Sequence, residues 1–389
     1  MATSSSSSLF PCYLAVPLLV LLYSSSRCSG SSCCQSIISF GDSIADTGNL
    51  VLSPGGGANH ASRFPYGETY FGRPTGRFSD GRIIIDFVAE AMGLPFVPPF
   101  LGGPDGGADG FRRGVNFAVA GATALDNGFF REKGLDVDWT NCSLSVQLDW
   151  FKQLLPSLCT PGSECTDILG RSLFLVGEIG GNDYNYLFMN GGMLDEIRSS
   201  IPKVINTIVS TVTELISLGA RTLVVPGNFP IGCVPMYLKK FQSESEDDYD
   251  LRTGCIKWLN EFSEYHNSML LKELDRLRQQ HPYATIIYAD YYKAALSIYR
   301  SPSSFGINVT LRACCGSGDG PYNNNVVISC GSKTSNLCDD PSRYVSWDGI
   351  HLTEAAYRAI ANMLLNDGSF SQPPVVNFAC SQIELKVEQ

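Results

Sequence analysis

The strongest constraint on this chain is its rhythm: short apolar runs alternate with long stretches of helical spacing. Ser36–Phe40 (SIISF), Leu173–Gly177 (LFLVG), Thr222–Val225 (TLVV) and Thr285–Ala289 (TIIYA) read as buried strands. Between and after them, Arg82–Met92, Leu194–Leu218, Ile256–Gln280 and Ala355–Leu365 read as helices. In the first of these Ile83, Phe87 and Met92 share a face and Gly93 ends it; in the third Trp258, Phe262, Tyr265 and Leu270 recur at helical spacing. Strand and helix in alternation predict an α/β fold, a three-layer sandwich with a mostly parallel sheet and helices on both faces. The chain has no internal repeat and no linker rich enough in Pro, Gly or Ser to separate two cores. Residues 31–389 are therefore expected to form a single domain, with Ser53–Asn59 and Pro98–Gly110 as surface loops. In such sheets ligands bind at the carboxyl ends of the strands.

The start of the chain departs from that rhythm. Polar Ala2–Ser8 leads into apolar Leu9–Tyr23, followed by Ser/Cys/Gly-rich Ser24–Ser32. Residues 1–30 are read as a cleaved secretory signal, although only the amino terminus supplies its positive charge. The apolar run contains Pro11 and Pro17 and falls short of the roughly 20 residues a spanning helix needs, so no stable membrane span is expected. Localisation is expected to be extracellular, or vacuolar by the secretory route. The net charge of -10, without any basic run, argues against a nucleic-acid partner.

Cysteine usage points to the same compartment. The chain has 14 cysteines, and removing Cys12 and Cys28 with the signal leaves an even number. Cys314, Cys315, Cys330 and Cys338 lie close together but lack the two CxxC pairs of a zinc site, and an exported chain favours disulfides. Cys159–Cys165 and Cys233–Cys255 are the expected close pairs, with Cys314 or Cys315 joining Cys330 or Cys338. Neither a metal nor another cofactor is called for. Two sequons, at Asn141 and Asn308, are candidate glycosylation sites.

Chemistry gathers at strand ends. Phe40-Gly41-Asp42-Ser43 follows the first strand, and Gly41 permits the tight turn that would present Ser43. A hydroxyl nucleophile is inert at neutral pH without an adjacent base. Trp347-Asp348-Gly349-Ile350-His351 supplies one: Asp348 and His351 can meet within a single turn, where the carboxylate fixes the imidazole tautomer. None of the other three histidines, His60, His266 and His281, has a carboxylate in that arrangement. Ile179-Gly180-Gly181-Asn182-Asp183, at the end of the second strand, offers an Asn amide to a developing oxyanion. Gly114-Val115-Asn116-Phe117-Ala118, followed by Ala120-Gly121-Ala122, offers a glycine amide.

Ser43, Gly114, Asn182, Asp348 and His351, in that order, match the block pattern of the SGNH hydrolases, and the chain resembles the plant GDSL esterase/lipase family. The resemblance spans nearly all of the mature chain through FGDSIADTGN (Phe40–Asn49), YGETYFGRPTGRFSDGRIIIDF (Tyr66–Phe87), PGNFPIGC (Pro226–Cys233), CCG (Cys314–Gly316) and YVSWDGIHLTEAAY (Tyr344–Tyr357). Its middle segment is similar to the subgroup of alkaloid acetyl esterases and sinapine esterases. The resemblance implies an SGNH hydrolase-like fold and a secreted serine esterase that hydrolyses carboxylic esters, acetyl or other short or aromatic acyl, through an acyl-enzyme. Ser43, Asp348 and His351 would be catalytic. The amides of Ser43 and Gly114, with the side chain of Asn182, would form the oxyanion hole; Gly121 stands close to Gly114 in the same block. The partner would be a small-molecule or polysaccharide ester, and the chain a monomer. Two other readings stay open: an acyltransferase using the same serine, and a glycan-binding protein that has lost catalysis.

Overall fold

In the computed structural model the chain is described at Met1 and residues 34–374, apart from 55–58, 105–109, 138, 160–164, 319 and 326–328. Beyond Met1 the expected signal segment lies outside the described residues, as does Cys380.

The expected strands form, and two more join them. The sheet comprises β1 (Ser36–Phe40), β2 (Gly114–Asn116), β3 (Ser172–Val176), β4 (Thr222–Pro226), β5 (Thr285–Ala289) and β6 (Ser371–Gln372), in spatial order β6-β5-β4-β3-β1-β2. Neighbours run parallel except β6, which pairs antiparallel with β5. Alternate residues of the inner strands feed two separate cores, as the two-residue pleat requires. Ile38, Phe40, Phe174 and Val176 join one; Ile37 and Leu173 join the other. On the first face lie α2 (Leu144–Leu158), α4 (Leu194–Leu218) and α5 (Lys257–Gln280). On the second lie α1 (Ile84–Ala91), α6 (Tyr291–Arg300) and α7 (Glu354–Asn366). Between β2 and α4, α3 (Gly181–Met189) starts just beyond the end of β3. The three-layer α/β sandwich expected from the rhythm is what forms.

One expectation changes. Beyond the leader no segment reads as apolar enough to span a membrane, yet α4 passes by length and composition. Its Ile197, Ile201, Val204, Ile205, Ile208 and Val212 are buried against the sheet side and α5, so the apolar stripe serves the core. Burying such a side chain contributes about 1.5–3 kcal/mol, which accounts for a helix that is apolar over half its circumference.

The chain from 309 to 353 carries little sheet. Val309–Ala313 pairs with Tyr344–Ser346, and Cys315–Gly316 with Asn336–Leu337. Disulfides Cys314–Cys338 and Cys315–Cys330 tie this segment together, which settles the connectivity among the late cysteines. Cys159–Cys165 and Cys233–Cys255 also form, whereas Cys142 keeps a free, buried thiol.

Candidate active site

After β1 the chain builds outward to β2 on one side, then crosses to β3 on the other. That reversal opens a crevice at the carboxyl ends of β1 and β3, and both Ser43 and Asn182 follow those ends. The turn at Gly41 has φ +142, and a Cβ there would come within 3.0 Å of the Glu178 carbonyl oxygen, so only glycine fits. Gln147 of α2 clamps the same peptide, its Oε1 accepting the Gly41 amide at 2.9 Å and its Nε2 donating to the Gly41 carbonyl at 2.8 Å.

Beneath Ser43, Asp46 is fully buried and accepts the amides of Gly48, Asn49, Leu50 and Ala120. Burial pushes its carboxyl up to about 6 against the pull of those amides. Asn116 Nδ2 donates to the Ala45 carbonyl and Thr47 Oγ1, while Asn49 Nδ2 donates to the carbonyls of Asn116 and Ala118. The polar residues around Ser43 bind the serine loop to the segment 116–120.

Across the crevice His351 Nε2 lies 2.8 Å from Ser43 Oγ, and His351 Nδ1 lies 2.7 Å from Asp348 Oδ2. Asp348 Oδ1 accepts the amides of Ile350 and His351, at 3.1 and 2.8 Å, so the carboxylate closes its own turn. Tyr66 Oη donates to Asp348 Oδ2 at 2.8 Å. Burial alone would raise the Asp348 carboxyl; the His351 imidazole, the His351 amide and the Tyr66 hydroxyl outweigh it and hold the group well below the usual carboxylate range. The Phe78 ring packs on His351 with centroids 4.7 Å apart. Gly349, at φ +96, sits where a Cβ would meet Asn324 Nδ2 at 2.0 Å, so the base turn is packed against the disulfide-bound segment.

Of the residues singled out from sequence, the structure brings Ser43, Asn182, Asp348 and His351 to one cavity. Gly114 is not there. It begins β2 opposite Ile37, toward the amino end of β1, and its amide already donates to the Phe111 carbonyl. Parallel pairing runs the segment past Ser43 only later, and Gly121 is the glycine that lines the cavity, at φ +82. Among the described residues the amides of Ser43 and Gly121 have no hydrogen-bond partner. Asn182 Nδ2 spends its hydrogens on Asp42 Oδ2 at 3.1 Å and the Ala122 carbonyl at 3.0 Å, and its Oδ1 accepts from Asn185. Nothing in the sequence marks Tyr66 or Asp46, because no local pattern signals a tyrosine reaching a carboxylate 282 positions away.

The cavity holds about 500 Å³, within the range of small-ligand sites. Its walls include His60, Trp139, Tyr186, Met189, Met236 and Ile350, with Asn324 and Ser329 as polar points and Lys240 the added cation. His60 and Trp139 meet edge to face at 5.6 Å, and burial pulls the His60 imidazole down, favouring its neutral form. Of the sequons, Asn141 and Asn308 are both exposed.

The family model described as GDSL-like Lipase/Acylhydrolase matches residues 37–364. A GDSL esterase/lipase of Arabidopsis thaliana is 53% identical over 342 residues, covering 87% of this chain and 86% of that one. Another from the same plant is 50% identical over 379 residues, covering 97% and 94% respectively. A sinapine esterase of Brassica napus is 50% identical over 349 residues, covering 89% and 88%. Identity at that level across most of both chains, joined to a serine, an imidazole and a carboxylate in line, makes this chain a member of the GDSL esterase/lipase family and a carboxylic ester hydrolase.

Proposed function

We propose that this chain is an exported serine esterase that cleaves small esters with short or aromatic acyl groups through an acyl-enzyme. The observation that carries the mechanism is the continuous line Ser43 Oγ–His351 Nε2 and His351 Nδ1–Asp348 Oδ2. Ser43 Oγ attacks the ester carbonyl while His351 Nε2 takes its proton; Asp348 holds the ring and steadies the imidazolium. The amides of Ser43 and Gly121, with Asn182 Nδ2, receive the oxyanion. His351 then gives its proton to the leaving alcohol, and water, deprotonated by the same nitrogen, releases the acid.

The aromatic wall of His60, Trp139 and Tyr186 supports a planar or short acyl group, and the sinapine esterase among the relatives is consistent with it. Export is supported by four disulfides and by exposed sequon asparagines at 141 and 308. The mature chain, 31–389, is read as one domain because both cores pack on a single sheet.

Product analysis tests the reading. Purified chain is given acetyl, feruloyl and long-acyl esters with and without an added alcohol, and the acid and transferred ester are measured. Free acid from acetyl or feruloyl esters, and an acyl mass on the Ser43 peptide after quenching, are expected. Dominant ester transfer would make the chain a transferase, and an acyl group on no serine would remove Ser43 from its role.

A further inference from the structure

Beneath Asn182 lie two carboxyls that the ester-cleaving chemistry does not use. Asp42 is 2% exposed and Glu178 5% exposed. They come from adjacent strand ends, Asp42 after β1 and Glu178 after β3, and the Asp42 amide donates to the Glu178 carbonyl at 3.2 Å. The two buried carboxyls act directly on each other, and no Lys or Arg acts on either. Two buried carboxyls at neighbouring strand ends, with no Lys or Arg to pair them, cannot both stay ionised at little cost, so one of them keeps a proton. No amide or hydroxyl among the described residues reaches Glu178 Oε1. Asp42 Oδ1 accepts the Ile44 amide and its Oδ2 accepts Asn182 Nδ2. Glycine at 181 is required by this packing, since a Cβ would lie 2.8 Å from Glu178 Oε1.

We propose that Glu178 is a positioning residue: with Asp42 it forms a carboxyl pair that holds a single proton, aims the Asn182 amide at the oxyanion and limits the charge beneath it to one unit. The proposal rests on the esterase reading above. Both amide hydrogens of Asn182 are taken, by Asp42 and by the Ala122 carbonyl, so one must turn when the oxyanion forms. A doubly ionised pair would grip that hydrogen harder and repel the oxyanion; a pair sharing one proton lets it go. The proton is sited by the surroundings. Burial raises Asp42 first and most, and the neighbouring Glu178 and Asp183 charges add to it. Burial likewise raises Glu178, opposed by Asp42, the Gly181 amide and His351. The other titratable groups facing the pair are the buried phenols Tyr184, Tyr237, Tyr291 and Tyr357, which bring no cation.

The experiment compares Glu178→Ala and Glu178→Gln with the wild-type chain, using p-nitrophenyl acetate, thermal melts and infrared spectra near neutral pH. Wild-type turnover that vanishes in Ser43→Ala establishes the esterase reading independently of Glu178. Glu178→Ala is expected to lower kcat about tenfold with KM little changed, the scale of a misaimed rather than deleted oxyanion donor. Glu178→Gln, whose amide donates permanently to Asp42, should recover most of that loss. The wild type should also show the carbonyl stretch of a protonated carboxyl that Glu178→Gln removes. Glu178→Gln as slow as Glu178→Ala while melting like the wild type, a loss confined to KM, or no carboxyl band removed would each overturn the proposal.

Discussion

The two halves of the site are held by different forces. Ser43 and Asn182 stand at the ends of β1 and β3, two neighbours paired at five positions inside a six-stranded sheet. Asp46, Asn49, Asn116 and Gln147 then fasten the serine loop from below. Asp348 and His351 instead sit on a turn between a three-residue strand and α7, backed by a segment with two short pairings and two disulfides. Ser43 and Asn182 inherit their placement from backbone ladders and a packed core; His351 inherits its placement from side-chain bonds and cross-links. Perturbing the first half should remove chemistry without moving the fold, whereas the second half should lose geometry when its ties are cut.

The largest effects delete chemistry outright. Ser43→Ala should lower turnover on the order of 10^6 while the melting temperature stays near wild type, since little but the hydroxyl leaves a sheet-borne turn. Retained activity within about tenfold would put the nucleophile elsewhere. Asp348→Asn is expected to cost roughly 10^4 in kcat, because an amide opposite His351 Nδ1 favours the wrong tautomer. That substitution also tests the contrast between the halves: the Asp348 carboxylate accepts two amides of its own turn, so the turn should loosen too, visible as faster amide exchange at Ile350 and His351. Asn182→Ala should lower kcat about 10^2- to 10^3-fold with KM little changed, the usual scale for one oxyanion donor. A loss in KM alone would make Asn182 a substrate contact.

Cutting the cross-links sharpens the comparison. Paired Cys-to-Ser replacement at Cys314 and Cys338, or at Cys315 and Cys330, should each cost roughly 2–4 kcal/mol of stability by freeing the unfolded chain. They close longer loops than Cys159–Cys165, with separations of 24 and 15 residues against 6, so the last pair should matter least. Activity should fall further than the folded fraction for the late pairs, because Cys330 lines the cavity and Asn324 packs on Gly349. Activity that simply tracked the folded fraction would mean the base half holds its geometry without them.

The same division explains what could be read in the sequence. Strands such as Ser36–Phe40 and Thr285–Ala289, and helix Leu194–Leu218, fall where the apolar pattern predicts, because strands buried on both faces read as continuous apolar runs and a helix with one buried face leaves a periodic stripe. β2 and β6 leave almost none: three residues and two, held by their neighbours rather than by their own composition. Ser43, Asp348 and His351 were legible because local turns carry them. The glycine facing the cavity was not, because Gly114 and Gly121 both sit in a Gly/Ala-rich block and only the register of β2 against Ile37 decides which one passes the serine. Tyr66 and Glu178 make their contacts between distant segments, and a single sequence holds no local pattern for those.

Tyr66→Phe gives the smallest of the expected effects and the finest test of how the base half is tied. Tyr66 is buried, stacked edge to face on Phe78 and Trp347, so phenylalanine keeps the packing and loses only the hydroxyl. That hydroxyl donates to the same Asp348 oxygen that faces His351 Nδ1. A hydrogen bond to a charged group contributes about 1.5–3 kcal/mol, but water or the His351 proton can take up part of the loss, so kcat should fall about three- to tenfold. The pH dependence of stability has a fixed sign. Asp348 is held below its unfolded value, so its contribution is present above the usual carboxylate range and is lost as pH falls through the folded value. Removing the hydroxyl raises the folded value toward the unfolded one, so the variant should lose less stability on acidification and level off at a higher pH than the wild type, with the two differing most at neutral pH and converging in acid. Melting curves taken from neutral to acid conditions decide it. Coincident acid profiles would show that Tyr66 packs beside Asp348 without holding its charge, and that the His351 turn alone keeps the carboxylate ionised.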